Sequence, residues 1–164
     1  MMSLKNVLVA TDFGEASAAA LSYGRELART FGATLHVLHV ADDVYMRLGG
    51  DAYVAVLPEL QKDIENAANR QLDELLIDND AKPLTIKKAV VTSAATAVAV
   101  VQYARDMNID LIIVGTHGRG TMAHLLMGSV AERIVRTAPC PVLTVREREH
   151  DFVTPDALTT IAQA

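Results

Sequence analysis

The stretch "DLIIVGTHGRGTMAHLLMGSV" runs from Asp110 to Val130 and decides how the rest of the chain is read. It opens on an apolar run too short for a helix, passes through glycines at 115, 118, 120 and 128, and then turns helical in pattern. A brief continuous apolar run bounded by turn residues is a buried strand. Glycines placed directly after it permit positive φ and let the backbone approach an anion closely. Gly115 and Gly118 are read as the first turn, and Gly128-Ser129 as the opening of the next helix, with Ser129 in the N-cap role. Free N–H groups at such a helix start attract anions.

The same alternation extends towards both termini. Residues 6–10, "NVLVA", form a β-rich apolar run. Residues 15–31 follow with alanines, Leu21, Leu27 and Ala28 at helical spacing, and Gly32 ends them, since glycine accepts the left-handed conformation that stops helices. Residues 34–40 read as strand, and 42–57 as a loop of mixed polarity. Pro58 stands at a helix start, where its missing N–H costs nothing. Leu60, Ile64, Ala68, Leu72, Leu75 and Leu76 mark one face of that helix. Strand 84–91, helix 94–107, strand 110–115, helix 129–137 and a last strand complete the alternation. Continuous apolar strands separated by helices predict an α/β fold: an open five-stranded parallel sheet, order 3-2-1-4-5, with helices on both faces in Rossmann-like fashion. Ligands bind outside the carboxyl ends of such strands, where the order reverses. Thr11-Asp12 and the glycine stretch are delivered there.

Bulk properties narrow the function. The 164 residues suit one domain, over 1–146, with a charged tail over 147–164. Net charge is −5 and no basic run occurs, which argues against a nucleic-acid surface. No apolar stretch approaches the roughly 20 residues of a membrane span, and the N-terminus lacks the pattern of a secretory signal. A single cysteine, Cys140, excludes an internal disulfide framework. The expectation is a soluble cytoplasmic protein.

Two phosphate motifs fail. GxxxxGK[ST] is approached by Gly115 and Gly120, but Thr121 stands where lysine belongs, and GxGxxG is absent. A loop without that lysine holds phosphate through N–H groups and Mg²⁺, with less means of stabilising charge during phosphoryl transfer.

The spacing Gly115-x2-Gly118-x9-Gly128-Ser129 resembles the ATP-binding signature of the universal stress protein family. "NVLVATDFGEAS", "ATLHVLHV", "NIDLIIVGTHGRG" and "GSVAERIVRTAPCPVLTVR" are similar to that family in order and spacing, over residues 4–146. The resemblance implies the same sandwich, with adenosine held after the first strand and at the end of the second. Asp12 then contacts ribose or adenine, Thr11 and Ala10 line that wall, Val40 bonds adenine through its backbone, and Val114 packs beside the nucleotide. Gly115, His117, Gly118, Arg119, Gly128, Ser129 and Val130 surround the phosphates. Mg²⁺ arrives with ATP, held mainly by the phosphates; no catalytic residue and no metal ligand is assigned to the chain.

The resemblance further implies a nucleotide-dependent stress-response regulator rather than a dedicated enzyme. It also implies a homodimer through the last strand, Pro141 to Arg146, whose apolar edge invites pairing. Two other readings stay open. One is a slow Mg-dependent ATPase at the same site, with His117 or an aspartate near Asp42 orienting water. The other is an interaction-only stress protein with a vestigial site. It draws on "VVTSAAT" over 90–96, where many members carry glycine and where Ser93 suits a helix cap. Asp12 equally suits the cap of the helix from Glu15. His36 and His39, three apart on a strand, face opposite sides and make a poor metal pair. In the tail, Thr154 and Pro155 open a short helix or a frayed terminus.

Overall fold

Short β-rich segments and longer amphipathic ones alternate along the chain, and each takes the form its pattern dictates. The computed structural model describes residues 3–48, 55–77, 83–116 and 127–146. In chain order the elements are β1 (Asn6–Ala10), α1 (Glu15–Phe31), β2 (Thr34–Ala41), α2 (Val44–Leu48) and α3 (Leu57–Leu75). Then come β3 (Ile86–Thr92), α4 (Thr96–Asp106), β4 (Leu111–Gly115), α5 (Ser129–Thr137) and β5 (Val142–Val145). The strands form one sheet, order β3-β2-β1-β4-β5, every pair parallel. This is the predicted architecture.

Alternation along the strands sends side chains to two separate cores. Val7 and Val9 of β1, Leu35 and Val37 of β2 and Ile113 of β4 pack under α1 and α3, against Ala20, Leu21, Ala28 and Leu72. Leu8, Leu38, Ile112 and Val114 face the other way, onto Ala97, Val100, Ala104, Ala131 and Ile134 of α4 and α5. Burial on both faces explains why the central strands read as continuous apolar runs.

Local signals set the ends. Gly32 follows α1 at φ 64°, as its sequence position predicted, and its N–H returns to the end of the helix. Asn108 takes φ 50° after α4, and Ile109 N–H donates to Ala104 O at 2.9 Å. The Asp110 carboxylate accepts the backbone N–H groups of Lys5 (2.7 Å) and Asn6 (2.9 Å), so the starts of β1 and β4 are tied together.

Three details depart from the sequence reading. The segment read as a loop after β2 contains α2. Asp43 caps it, with Oδ1 accepting the N–H groups of Tyr45 at 3.0 Å and Met46 at 3.2 Å. On α3, Leu60 is exposed and Gln61 is buried instead. Gln61 is drawn inward by Val44 N–H, which donates to its Oε1 at 3.0 Å, while its Nε2 donates to Asp42 O and the Thr92 hydroxyl. Finally, Ala95 rather than Ser93 flanks α4, and the Ser93 hydroxyl accepts Ala95 N–H at 3.0 Å.

His36 is the one buried histidine among the described residues, 1% exposed. Its Nδ1 lies 3.0 Å from the Tyr103 hydroxyl of α4, and its Nε2 has no partner among the described residues. Burial, and then the neighbouring Lys87 on β3, hold its pKa below the usual histidine value. Burial likewise pushes the Tyr103 hydroxyl and the Cys140 thiol up. Cys140 is therefore a packing residue with no activated thiolate.

Candidate functional site

The order of the sheet reverses between β1 and β4, so the connections leaving these strands part and open a crevice between them. The β1–α1 turn forms one wall. Thr11, buried, continues the ladder by donating its N–H to Leu38 O at 2.9 Å. Its hydroxyl accepts Phe13 N–H at 3.0 Å and lies 3.1 Å from the Ser17 hydroxyl. Ser17 donates to Gly14 O at 2.9 Å, so the Thr11 proton is directed to Ser17. Asp12 Oδ1 accepts Gly14 N–H at 2.9 Å, which fixes the turn; the residue flanking α1 is Gly14, not Asp12. Phe13 is held at φ 63°, a left-handed conformation that costs a bulky residue on the order of 1 kcal/mol. Its ring stacks on His39, centroids 4.5 Å apart, and His39 Nδ1 lies 2.9 Å from Thr11 O.

The end of β4 and the start of α5 form the other wall. Gly115 is the last residue of β4, paired with Val145, and does not form the expected turn. Its lack of a side chain serves packing: a Cβ there would fall 2.8 Å from the carbonyl carbon and the Cβ of Ala16. Thr116 follows, buried, with its N–H on Val145 O at 2.8 Å and its carbonyl accepting Gly128 N–H at 2.7 Å. That bond closes the base of the glycine-rich segment and places Gly128, not Ser129, at the N-cap of α5. Ser129 is the first helical residue. The N–H groups of Ser129, Val130 and Ala131 precede the first helical bond, from Glu132 to Gly128 O at 3.0 Å, and among the described residues no side chain caps them.

Between the walls lies a cleft of about 340 Å³. Ala10, Thr11, Asp12, Val40, Val114, Gly115, Gly128, Ser129 and Val130 all line it, brought together from remote parts of the chain. His117, Gly118 and Arg119 lie outside the described residues. The structure adds His39, Thr96, Val100 and Thr116, which the sequence reading left out. Thr96 opens α4 and Val100 lies one turn on; the signal for them was the position of α4 at the carboxyl end of β3. Asp42, considered for orienting water, is absent from the lining and pairs with Arg47 at 2.7 Å.

The chemistry of the cleft is uneven. Leu38, Val100, Val114 and Ile134 give an apolar floor, while hydroxyls and backbone N–H groups gather at α5 and α4. Among the described lining residues Asp12 is the only carboxylate, and none is lysine or arginine. A cleft lined by apolar side chains and bordered by the first-turn N–H groups of α5 suits an apolar ring carrying an anionic tail.

The profile of the universal stress protein family matches residues 3–146. Universal stress protein A homolog 1 of Coxiella burnetii is 32% identical over 148 residues, 90% of this chain and 100% of that protein. Among solved structures, MJ0577 of Methanocaldococcus jannaschii shares the fold with a TM-score of 0.76 at 24% identity, covering 90% of this chain and 99% of the other. A universal stress protein solved in complex with cAMP shares it with a TM-score of 0.59 at 22% identity, covering 90% of this chain and all of the other.

Proposed function

The chain belongs to the universal stress protein family, and from that premise we propose that its cleft binds an adenine nucleotide, ATP with Mg²⁺. The protein then acts as a nucleotide-dependent regulator of the stress response in the cytoplasm. One observation carries this reading. The residues that the family resemblance assigns to adenosine (Ala10, Thr11, Asp12, Val40, Val114) and four of those it assigns to phosphate (Gly115, Gly128, Ser129, Val130) line a single cleft. The relative solved with cAMP supports an adenine ligand.

In this reading the ring lies on Val114 and Val100, with Asp12 at the ribose. The phosphates meet the uncapped N–H groups of α5, with His117, Gly118 and Arg119 completing their surround. Asp12 alone, as the one carboxylate of the described lining, does not make a metal site. No group of three or more His, Cys, Asp or Glu able to hold a metal occurs among the described residues either. Mg²⁺ arrives with the ATP, held mainly by its phosphates. The proposal extends to a homodimer: among the described residues β5 pairs only with β4, and Leu143 is exposed on this edge strand. Consistent with a cytoplasmic location, no helix of the described residues is long and apolar enough to cross a membrane.

Calorimetric titration of nucleotide-stripped protein with Mg-ATP and AMP tests the reading. Wild type should bind ATP more tightly than AMP, and Gly118→Val should erase that advantage by blocking close approach of phosphate. Asp12→Ala should weaken both ligands about tenfold, the worth of one charged hydrogen bond. Absence of heat from stripped wild type with either ligand overturns the nucleotide reading and leaves the interaction-only one.

A further inference from the structure

The parallel ladder between β1 and β2 ends with β1 at Ala10, while β2 runs on to Ala41. Thr34 N–H donates to Lys5 O, so the even-numbered N–H groups of β2 point at β1, whereas Leu35 N–H donates to Thr85 O on the β3 side. Thr11 N–H then donates to Leu38 O. In a regular parallel sheet the next bond runs from Val40 N–H to Thr11 O. Pairing instead ends at Ala10↔Leu38. The Thr11 carbonyl is taken by a side chain, His39 Nδ1, at 2.9 Å. A carbonyl can only accept, so Nδ1 carries the proton. The Phe13 ring, 4.5 Å away and held at φ 63°, fixes the plane of the imidazole.

Resting on the nucleotide reading above, we infer that His39 is a positioning residue: by holding Thr11 O towards its own Nδ1 it keeps the Val40 peptide unzipped from β1 and open to the ligand. The N–H and C=O of Val40 point to the same side of the strand, past the end of the β1 ladder, and Val40 lines the cleft. Together they present one donor and one acceptor side by side. That pair matches the edge of a purine bearing an amino group beside a ring nitrogen, which offers the complementary acceptor and donor. Without the imidazole, Thr11 O and Val40 N–H are the pair that a regular parallel ladder would join, and backbone groups are driven to pair. The sheet then closes by one rung and the purine loses its donor.

Three variants and two readouts test this. His39→Phe keeps a ring against Phe13 and removes the donor. His39→Leu does the same with less bulk and serves if phenylalanine is not accommodated. His39→Asn places an amide N–H near the position of Nδ1. The first readout is amide hydrogen exchange at Val40 in ligand-free protein; the second is Mg-ATP affinity. Val40 should exchange freely in wild type and in His39→Asn. It should become protected about tenfold or more in His39→Phe or His39→Leu, with affinity falling by a similar factor. Unchanged Val40 exchange in the variants lacking the donor overturns the inference, as does a His39→Asn variant that behaves like them. If stripped wild type binds no nucleotide while Val40 protection still follows the side chain at 39, the positioning role stands and the nucleotide reading falls.

Discussion

The turn from β1 to α1 and the junction of β4 with α5 border the same cleft, and the described bonds differ: side chains hold the first, while backbone bonds join the two described ends of the second. Between Thr11 and Ser17, hydroxyls and a carboxylate hold the chain: Thr11 to Phe13 and Ser17, Asp12 to Gly14, Ser17 to Gly14. Where β4 meets α5, backbone bonds join the described residues: Thr116 N–H donates to Val145 O and Gly128 N–H to Thr116 O. The first wall shapes a surface for something that must be oriented, because side-chain acceptors are directional. The second presents the first-turn N–H groups of a helix start, which suit diffuse negative charge. The two walls meet at Gly115, where the end of β4 lies against the first turn of α1.

That meeting point gives the largest expected effect. Gly115→Ala drives a methyl to 2.8 Å from the carbonyl carbon of Ala16, a backbone atom that cannot rotate away. Overpacking of this kind costs about 2–3 kcal/mol. Chemical denaturation should show it, and nucleotide affinity should fall in the same variant as the walls part. An alanine variant with wild-type midpoint and wild-type affinity would mean the walls are independent. Thr11→Val comes next. It keeps shape but deprives Phe13 N–H of its acceptor and Ser17 of its donor, for about 1–2 kcal/mol. Because the loss is confined to the side-chain-built wall, AMP and ATP should weaken equally; a selective loss of ATP would show that the turn also serves the phosphates.

The smallest effect at neutral pH lies away from both walls, at His36. Its pKa is lowered in the folded protein, so the unfolded chain binds more protons once pH falls below the ordinary value of 6.5. Stability should be intact above that pH and decline progressively below it. Melting temperatures between pH 8 and pH 5 should fall less in His36→Asn than in wild type. Parallel curves for the two proteins would remove His36 as the source of acid sensitivity.

How far the site could be read from the chain differs between the walls. Gly115 and Gly128 were visible as glycines, but the reasons for them were not. Gly115 is required by a helix that begins a hundred residues earlier, and Gly128 caps α5 because its N–H is drawn to Thr116 O. Thr11 and Asp12 were placed by their position after the first strand, whereas the link from His39 back to Thr11 spans residues 28 apart and has no local signature. Leu60 and Gln61 exchange places for the same kind of reason. Helical spacing alone favours leucine inside, but Val44 N–H and Asp42 O need a partner that only the amide provides.

What the sequence determined by itself is what neighbouring residues decide among themselves. Apolar runs too short for helices became β1 and β4, α1 ran from Glu15 to its left-handed stop at Gly32, and the alternation of the two kinds of element implied a parallel sheet with a switch point. Those outcomes depend on side-chain periodicity and on which residues tolerate positive φ, both local properties. Tertiary structure decided where the β1–β2 ladder ends, which glycine faces a helix and which caps one, and that His39 rather than Val40 answers the Thr11 carbonyl. Each of these depends on which donors, acceptors and methyl-sized spaces come within reach once remote segments are packed together.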